Sequence, residues 1–481
     1  MASLEEIRNE RIRKLETLKK KGLNPYPTET DRTHKISEFL KEFKNLDEGT
    51  LVGRIMSLRS FGGSIFSDLN DGSDKIQVYF KKDDLGDELF NLFEENIDIG
   101  DFIEATGSPF TTKKGEQSLL VSNWKIISKS LRPLPEKWHG LQNHEARFRQ
   151  RYLDILLNPE LRELFKLKAK FWDTTRSFMN EKDFVEVETP TLEITTGGAE
   201  ARPFQTHHND FDIDVYLRIS IGELWQKRLM AAGFEKTFEI GKAYRNEGSS
   251  ADHTQEFSNM EFYWAYADYK DGMGLTKELY QRIAQDVFGK TEFETRGHKF
   301  DLSGDWPVID YVDEIEDKTG IDVLEANEGD IQAKLEGLGV KYDGNTKERM
   351  MDSLWKHIRK DVSGPAFLIN HPKLVSPLAK DNLDKPGTVE RFQIIIAGSE
   401  IGNGYSELNN PIEQKKRFDE QKELIAKGDE EAMMPDDEFV EMLEHGMPPT
   451  CGFGFGERLF AFMVDKPIRE VQMFPLMKPK E

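Results

Sequence analysis

Several common features are scarce or missing in this chain of 481 residues. Its single cysteine, Cys451, excludes an internal disulfide framework and a zinc site built from several thiolates, and it suits a reducing compartment. No run of about 18 apolar residues could span a membrane. The first 22 residues carry charges throughout and lack the apolar core of a signal peptide. We therefore expect a cytoplasmic protein with no membrane partner.

Basic residues are also in deficit. Lysine and arginine number 66 against 88 aspartate and glutamate, which gives a formal net charge of -22. Such a chain can bind nucleic acid only through a local basic surface. The first 22 residues are one candidate, because seven of their side chains are basic and four are acidic. The alternative is an ordinary solvated helix.

Two common nucleotide-binding motifs are missing. The glycine-rich "CGFGFGERLF" has no lysine followed by serine or threonine, so it is not a Walker phosphate loop. Its Gly-x-Gly-x-Gly spacing does not match the dinucleotide fingerprint either. A nucleotide site in this chain must be of another type.

The pattern of apolar residues changes along the chain. Residues 3–21 predict one helix, which Gly22 would end. From Thr50, short apolar runs between turn residues predict a small antiparallel barrel. Beyond Asn158, helices alternate with strands such as "FEKTFEIGKAYR" and "RFQIIIAGSEI", which favours an α+β domain on a mostly antiparallel sheet. The predicted boundaries are 1–48 for an N-terminal helical extension, 49–131 for the barrel, 132–150 for a linker, and 151–481 for the large domain, with a helical insertion at about 305–361.

The segment "YRNEGSSADHTQEFSNMEFYWAYADY" sets one arginine among carboxylates and aromatic rings. Arg245 could clamp a carboxylate and a phosphate together, because a guanidinium offers several donors in a fixed fork. His253 could reach a terminal phosphate, and Phe257 could stack on a base. The alternative is a surface ladder of ion pairs, Arg245 with Glu247 and Asp252 with His253.

A second polar cluster lies in "AGSEIGNGYSELNNP". Glu400 could bind a hard cation, since magnesium prefers carboxylates and phosphate oxygens. Glu407, together with Tyr405, could hold an ammonium group. Asn403 lies between the two glutamates, three residues after Glu400 and four before Glu407. The alternative is a capped loop with no ligand.

The barrel segment carries the mixture of side chains that binds single-stranded nucleic acid. Arg59 supplies a cation, Phe61 and Phe66 supply stacking rings, and Gln77 supplies an amide. Phe66 could equally belong to the core, and the residues alone slightly favour the core.

Together these segments resemble class II aminoacyl-tRNA synthetases, and within that class the lysyl-tRNA synthetase family. "VEVETPTL", with Pro190, resembles motif 1, the arginine segment resembles motif 2, and "GFGFGERLFAFM" resembles motif 3. "TGGAEARPFQTHHN", "LRISIGELWQKRL", "SELNNPIEQKKRF" and "GMPPT" resemble lysine-enzyme signatures. "RIRKLETLKKKGLNPYP" and "LVGRIMSLRSFGG" resemble the family's N-terminal helix and its anticodon-binding OB-fold barrel. The similarity covers nearly the whole chain.

The resemblance implies an α+β protein with an OB-fold β-barrel followed by a class II catalytic domain. In that domain a seven-stranded type of antiparallel sheet would be flanked by helices. ATP and L-lysine would form lysyl-adenylate and pyrophosphate, and lysine would then be transferred to the 3'-terminal adenosine of tRNA(Lys). The resemblance also implies Mg2+ as cofactor and a homodimer.

The same resemblance assigns roles to individual residues. It makes Arg245 and Arg458 catalytic, with the adenine ring between Phe257 and Arg458. ATP binding falls to Arg245, Glu247, His253, Phe257, Glu400 and Arg458. Lysine binding falls to Gly198, Glu223, Arg245, Glu261, Tyr263, Asn403, Tyr405 and Glu407. Anticodon binding falls to Arg59, Phe66, Gln77 and Glu116. The chemistry agrees, because the distal cation of lysine requires a buried carboxylate partner, which "YSELNN" supplies.

Three positions depart from the family pattern. Gln393 stands where the family has a glutamate, and we expect it to weaken or reshape one metal site, which leaves Glu400 as the surer ligand. Glu457 replaces the more common aspartate, and the glycines lie one residue closer to Arg458 than usual. Asn410 replaces another aspartate, which we expect to matter little.

Two other functions compete with an active synthetase. One is a catalytically silent paralogue that binds tRNA or a partner as a regulator. Its mark would be the loss of Arg245, Arg458 or Glu400, and all three are present. The other is a lysine ligase that acts on a translation factor, but such relatives lack the N-terminal barrel.

Overall fold

The computed structural model describes residues 3–135, 141, 143–199, 201–342, 346–426 and 432–479. The chain forms two compact units, Met1–Arg147 and Phe148–Glu481. The predicted linker at 132–150 is only partly covered, since 136–140 and 142 lie outside the described residues, as do 343–345 of the predicted insertion. Among the described helices, none combines the length and the apolar character that crossing a membrane requires.

The first unit is built on a closed barrel with the strand order β1-β2-β3-β5-β4. Its strands are β1 (Gly49–Phe61), β2 (Ser64–Asn70), β3 (Lys75–Lys81), β4 (Phe102–Thr111) and β5 (Gln117–Ser128). Its helices are α1 (Leu4–Lys20), α2 (Ile36–Glu42), α3 (Lys82–Leu85) and α4 (Asp87–Asn96). Neighbouring strands are antiparallel except β3 and β5. Alternate side chains such as Ile65 and Leu69 fill the interior, as the two-residue period of a strand requires.

Helix α1 ends two residues before Gly22, whose φ of +79° favours glycine. Most of its basic side chains are already paired within the first unit. Arg11 is buried and donates to the carbonyl of Ile99 at 3.0 Å, and Lys14 lies 2.7 Å from Asp98. Similar ion pairs join Arg13 to Glu10, Lys19 to Glu16 and Lys21 to Glu88. The basic surface available to a nucleic acid is therefore smaller than the sequence indicates.

The second unit combines a large sheet with helices. Its helices are α5 (His144–Arg149, which begins before the unit boundary), α6 (Arg151–Leu157), α7 (Pro159–Glu181), α8 (Glu223–Ala231), α9 (Tyr269–Ile283), α10 (Tyr311–Thr319), α11 (Glu328–Gly337), α12 (Lys347–Ile358), α13 (Pro411–Ala426), α14 (Asp437–Glu444) and α15 (Arg458–Met463). Its strands are β6 (Val185–Glu186), β7 (Leu192–Glu193), β8 (Gln205–His208), β9 (Ile213–Leu217), β10 (Lys236–Tyr244), β11 (Glu256–Ala265), β12 (Glu292–Thr295), β13 (His298–Asp301), β14 (Val308–Asp310), β15 (Ala366–Ile369), β16 (Arg391–Ile396), β17 (Ser399–Ser406) and β18 (Thr450–Gly456).

The main sheet runs β14-β15-β16-β17-β18-β11-β10-β6 and is mostly antiparallel, as the sequence predicts. Within the described residues it has eight strands rather than the expected seven. The two outermost strands, β6 and β14, are short and pair in parallel with their neighbours, so the antiparallel part lies between them. The fold class expected from the sequence is confirmed.

One predicted strand is in fact two. The segment "RFQIIIAGSEI" forms the hairpin of β16 and β17, which turns at Ala397 and Gly398. Both turn residues have a positive φ, 49° and 67°, and the glycine makes this backbone conformation easier. The apolar run hid the turn because Ile394, Ile395 and Ile396 are all buried. The predicted insertion at 305–361 is mainly α10, α11 and α12, with the short edge strand β14 before them.

Alternation along the strands divides the sheet into an apolar face and a polar face. Phe262, Phe392 and Phe453 are buried in one core with side chains of α7 and α9, including Phe171 and Tyr280. The neighbouring strand positions carry polar groups or glycine and point to the other face. The functional site lies on that face.

Candidate active site

A cavity of about 240 Å³ opens on the polar face of the main sheet. It is lined by every residue that the sequence proposed for ATP, lysine or metal binding: Gly198, Glu223, Arg245, Glu247, His253, Phe257, Glu261, Tyr263, Gln393, Glu400, Asn403, Tyr405, Glu407 and Arg458. These residues come from β11, β16 and β17, from the first residues of α8 and α15, and from loops next to the strands. Sequence positions more than 250 residues apart thus share one site.

The glycines of β18 form the floor of this cavity. Gly452 pairs with Tyr263 of β11 and Gly454 pairs with Glu261, so both glycines lie mid-sheet on the polar face. A Cβ atom on Gly452 would collide with Glu407, and one on Gly454 would crowd Glu261. The glycine-rich strand therefore provides space for a ligand above the sheet.

Arg245 follows the end of β10 and is half-buried at the cavity wall. Its Nε donates to the carbonyl of Ile219 at 3.2 Å, and its guanidinium carbon lies 5.2 Å from the ring centre of Phe257. Among the described residues, no hydrogen-bond partner is seen for its two terminal nitrogens. Burial lowers the pKa of Arg245, opposed by nearby carboxylates, but an arginine stays charged in proteins. The side chain thus offers a fixed, charged pair of donors to a ligand.

The predicted alternative of a surface ion-pair ladder is not observed. Asp252 forms an ion pair with Arg296 instead. His253 accepts from or donates to Ser250 at 2.8 Å, and its pKa is lowered by burial and by the charge of Arg458. His253 is therefore neutral at pH 7 in this structure, and an approaching phosphate would favour its protonation.

Arg458 begins α15 directly after the glycine-rich strand. Its Nη1 and Nη2 donate to the backbone carbonyls of Glu400 and Asp252, each at 3.3 Å. These bonds hold its guanidinium against the cavity wall. The cation that lies over the Phe257 ring in this structure is Arg245, and Arg458 and Phe257 both line the cavity.

Glu457 precedes Arg458 and lies at the cavity wall. It is completely buried and forms an ion pair with Lys168 of α7, and its other oxygen accepts from Gln472 at 3.0 Å. The longer side chain thus ties the residue before Arg458 to α7. This contact is a feature that the sequence analysis did not identify.

The opposite end of the cavity is acidic. Glu223, Glu261 and Glu407 are all buried there. Tyr405 donates to Glu223, and Tyr263 donates to Glu261 at 3.3 Å. Burial raises the pKa of both tyrosines well above their ordinary value, so they remain hydroxyl donors.

These carboxylates also have perturbed acidities. Burial raises the pKa of Glu407 to about 8, although the charge of Lys227 opposes the rise. Burial and the charge of Glu223 raise the pKa of Glu261 to about 7. Glu261 is held by the backbone N–H of Ile221 at 2.8 Å. An acidic site of this kind is typical of cation binding.

Lys227 is the functional candidate that the sequence analysis missed. Its buried ammonium lies 2.6 Å from Glu407 and 3.2 Å from Glu223. The sequence did carry one signal, since Glu223 and Lys227 are four residues apart, which is about one helical turn, and both lie on α8. The contact with Glu407 is formed only by the fold.

Magnesium finds few donors in the protein itself. Among the described residues, no group of three or more His, Cys, Asp or Glu side chains is placed to hold a metal ion. Glu400 accepts from Trp355 at 3.0 Å and pairs with Arg359 at 2.9 Å. Gln393 Oε1 accepts from Nε2 of His371 at 3.0 Å. This donor set fits an ion that arrives with nucleotide phosphates, and it does not fit a metal held by the protein alone.

The barrel residues form a separate cluster in the first unit. Gln77 donates to Glu116 at 3.1 Å, and Arg59 lies opposite Phe66 across β1 and β2. The weak preference for a core position of Phe66 is wrong, because Phe66 is only half-buried and stacks on Tyr79 at 4.5 Å. Phe66 alternates with inward-facing Ile65 and therefore lies on the outer face.

The barrel cluster also contains rings that the sequence analysis missed. Tyr79 lies between Phe66 and Phe110, whose ring centre is 5.8 Å away. The signal for Tyr79 was its two-residue spacing from Gln77 on β3, which places both on neighbouring positions of one face.

Comparison with known proteins agrees with this architecture. The family described as tRNA synthetases class II (D, K and N) matches residues 143–478. An OB-fold nucleic acid binding domain matches residues 49–127. The sheet, its polar cavity and these matches define a class II tRNA synthetase.

Full-length relatives narrow the family further. A lysine–tRNA ligase of Thermosipho melanesiensis is 44% identical, over 99% of this chain and 97% of the relative. A lysine–tRNA ligase of Thermotoga maritima is 42% identical over the same shares. One of Roseiflexus sp. is 43% identical, over 99% of this chain and 100% of the relative. The chain therefore belongs to the lysine–tRNA ligase family.

Proposed function

We propose that this enzyme activates L-lysine with ATP to lysyl-adenylate and transfers lysine to the 3'-terminal adenosine of tRNA(Lys). The observation that carries the proposal is the opposition of charges in one cavity. Arg245 and Arg458 provide cations at one part of the wall, and three buried glutamates lie at the other end. Lysine has the matching arrangement, since it carries a carboxylate and two ammonium groups.

In the proposed complex, Arg245 holds the lysine carboxylate and the α-phosphate of ATP in line. Its terminal nitrogens, which have no hydrogen-bond partner within the described part of the chain, support this role. The α-ammonium group is assigned to Glu223 with the backbone of Gly198, and the ε-ammonium group to Glu407 and Tyr263. Gly198 suits the role because a side chain there would collide with Glu223.

No general base is required for the first step. The lysine carboxylate is already ionised at neutral pH and attacks the α-phosphorus directly, while the bond to pyrophosphate breaks. The enzyme accelerates this step by aligning the reactants and by neutralising the charge that develops at phosphorus. Arg245 and Arg458 are placed to do both.

ATP would be held by the remaining residues of the cavity. We assign the adenine ring to the space between Phe257 and Arg458, its edge to Glu247, and the triphosphate to His253. Magnesium would be held by Glu400 together with the phosphates, and it would neutralise charge on the triphosphate and on the leaving pyrophosphate. Asn403 would line the lysine pocket, although its oxygen already accepts from Arg391 at 2.8 Å.

The barrel would read the anticodon through Arg59, Phe66, Gln77 and Glu116. The stacked pair of Phe66 and Tyr79 supports this part of the proposal, since aromatic rings on the outer face of a barrel are stacking platforms for unpaired bases. Replacing Phe66 with alanine is expected to raise the KM for tRNA about 5- to 100-fold in aminoacylation, from the loss of roughly 1–3 kcal/mol per stacked base. Lysine activation without tRNA is the internal control and is expected to stay unchanged. An unaltered KM for tRNA would contradict the assignment.

We also propose a homodimer in the cytoplasm. Exposed apolar side chains around motif 1 support the dimer, namely Val185, Leu192 and Ile194 at 49%, 51% and 70% exposure. The cytoplasm is where the ribosome consumes aminoacyl-tRNA. Sedimentation of the purified protein tests the dimer.

The decisive test of the function is exchange of labelled pyrophosphate into ATP with each of the twenty amino acids, followed by charging of an unfractionated tRNA pool. We expect exchange with lysine and charging of lysine-accepting tRNA. Exchange with none of the amino acids would favour a tRNA-binding regulator. Exchange with lysine but no charging would favour a ligase with a different acceptor.

Gln393 offers a test of the metal assignment. The Gln393→Glu variant is expected to lower the magnesium concentration for half-maximal exchange about 3- to 10-fold. It would add a second carboxylate to that of Glu400, at the strand position paired with Asn403. Gln285→Glu makes the same change at an exposed position of the same unit and should leave the magnesium dependence unaltered. An identical magnesium dependence in both variants would count against a metal near Gln393.

A further inference from the structure

A buried lysine of the protein contacts two carboxylates of the proposed lysine pocket. The side chain of Lys227 is 1% exposed, and its Nζ lies 2.6 Å from Oε2 of Glu407. The same Nζ donates to Oε1 of Glu223 at 3.2 Å. The rings of Tyr405 and Tyr263 face it at 5.4 and 5.8 Å. A cation of the protein therefore competes for carboxylates that the substrate needs, and its presence requires a physical reason.

The charges of the pocket give that reason. Glu223, Glu261 and Glu407 are buried, and Lys227 is the cation that pairs with them among the described residues. Three carboxylates and one ammonium leave two negative charges unmatched. Lysine brings two ammonium groups, while its carboxylate is assigned to Arg245. Buried charges are stable only when they are paired, so the bound substrate would complete the balance.

We propose that Lys227 is a positioning residue that sets the charge of this pocket: shared between Glu407 and Glu223, it cancels one of the three negative charges and leaves two for the two ammonium groups of lysine. The inference rests on the proposed function and concerns how that same pocket selects its amino acid. Lys227 acts through Glu407 and Glu223 and does not itself bind the substrate.

The two carboxylate oxygens of Glu407 face different groups. Oε2 lies against Lys227 on the inner side. Oε1 faces Gly452, where a Cβ atom would collide with it, and Gly452 lines the cavity. Lys227 therefore occupies one oxygen and orients the other toward the ligand. Without Lys227 the carboxylates would repel one another, and one of them would take up a proton and lose an acceptor for the substrate.

The groups that face Glu407 determine how the pocket responds to pH. They are Glu223 and Lys227 on α8, Glu261 and Tyr263 on β11, Tyr405 on β17 and Cys451 on β18. Burial raises the pKa of Glu407 to about 8 and that of Glu261 to about 7. The pKa of Lys227 is lowered by burial but raised more strongly by Glu407 and Glu223, so Lys227 stays charged.

The empty pocket therefore holds protons at pH 7, and the incoming ammonium groups replace them. The protons leave the carboxyl groups for the buffer. Because lysine binds the ionised carboxylates, its KM should fall as the pH rises from about 6 to about 9. Above that range the pocket is fully ionised and this effect ends.

Calorimetry on the unmodified protein tests the charge balance. Titration of L-lysine at pH 7, in two buffers with different ionisation enthalpies, measures the protons released for each lysine bound. We expect release of about one to two protons. Binding without net proton release would overturn the inference.

The Lys227→Met variant tests the residue itself. It keeps a side chain of similar length and removes the charge, so we expect the lysine KM in the exchange reaction to rise about 30- to 300-fold, with little change in the ATP KM. The pH at which the lysine KM falls should also move up by about one unit, because the compensating cation is gone. Lys227→Arg retains the charge and should retain the pH profile even if its bulk raises the KM.

Lys236→Met is the matched control. Lys236 is half-buried on β10, donates to the carbonyl of Lys182 at 3.0 Å and does not line the cavity. If Lys227→Met shows the wild-type lysine KM and pH profile while the wild type catalyses lysine-dependent exchange, the inference fails and the proposed function stands. If the wild type activates another amino acid instead, the proposed function fails. If Lys227→Met does not fold, the number of protons that the wild type releases for each lysine bound tests the inference.

Discussion

Replacing Arg245 with glutamine is expected to reduce lysine-dependent pyrophosphate exchange by about a thousandfold or more. Loss of a single neutral donor to a developing charge typically lowers the rate by about 100- to 1,000-fold. Arg245 supplies two donors and a full charge, and its Nε bond to Ile219 at 3.2 Å fixes the direction of the fork. Since Arg245 is assigned to both reactants before and during the reaction, kcat should fall and the lysine KM should rise, so kcat/KM should fall further than kcat.

The controls separate charge, geometry and folding. Arg245→Lys keeps the charge but loses the planar fork, so it should recover only part of the activity. Arg176→Gln removes an arginine that pairs with Glu186 at 2.8 Å and does not line the cavity. This variant should leave exchange unchanged. Exchange by Arg245→Gln within tenfold of the wild type would mean that Arg458 or another cation performs the alignment.

Sequence reasoning worked best where chemistry and strand periodicity agree. Glu261 and Tyr263 are two residues apart on β11, as are Asn403 and Tyr405 on β17, so each pair points to one face of the sheet. Such spacings can be recognised along the chain. The register that sets Asn403 beside Gly454 is a long-range property that no local pattern shows, and the family resemblance implied only that Asn403 lines the lysine pocket.

Predictions from the sequence were wrong where residues distant along the chain come into contact. The basic side chains of α1 looked available to nucleic acid, but Asp98, which pairs with Lys14, lies 84 residues away along the chain. Phe66 looked like a core residue because it is large and apolar. Its neighbour Ser67 is polar but buried, so apolar and polar residues along β2 do not alternate between the inner and the outer face. Composition alone cannot assign a side chain to the inner or outer face of a barrel.

Lys227 shows the same limit at the active site. It lies in the quoted signature "LRISIGELWQKRL", where Glu223 drew attention and the lysine resembled any helical partner four residues away. A helical pair of this kind is normally worth little when exposed. Lys227 is part of the site because its side chain is only 1% exposed and because Glu407, just after the end of β17, lies against it.

Replacing Glu407 with glutamine is expected to lower kcat/KM for lysine by roughly two to four powers of ten, from the loss of about 3–5 kcal/mol when a buried charge is left without its partner. The shape is nearly preserved, and the new amide would still offer an oxygen on the side of the cavity that Tyr263 lines. The ε-ammonium group of lysine would then enter a pocket in which Lys227 has lost its partner at 2.6 Å and repels the substrate.

The change should therefore act on lysine alone. We expect the ATP KM to remain near the wild-type value, since Glu407 lies at the acidic end of the cavity, with Lys227 and Glu223, and not beside Arg458. Removing the competing cation as well, in Glu407→Gln with Lys227→Met, should restore part of the lysine affinity, because the repulsion disappears although the carboxylate does not return. The matched control is Glu278→Gln on α9, whose carboxylate is exposed and pairs with Lys182. Equal losses for lysine and ATP would show that Glu407 only supports the fold, because a structural defect would affect both substrates.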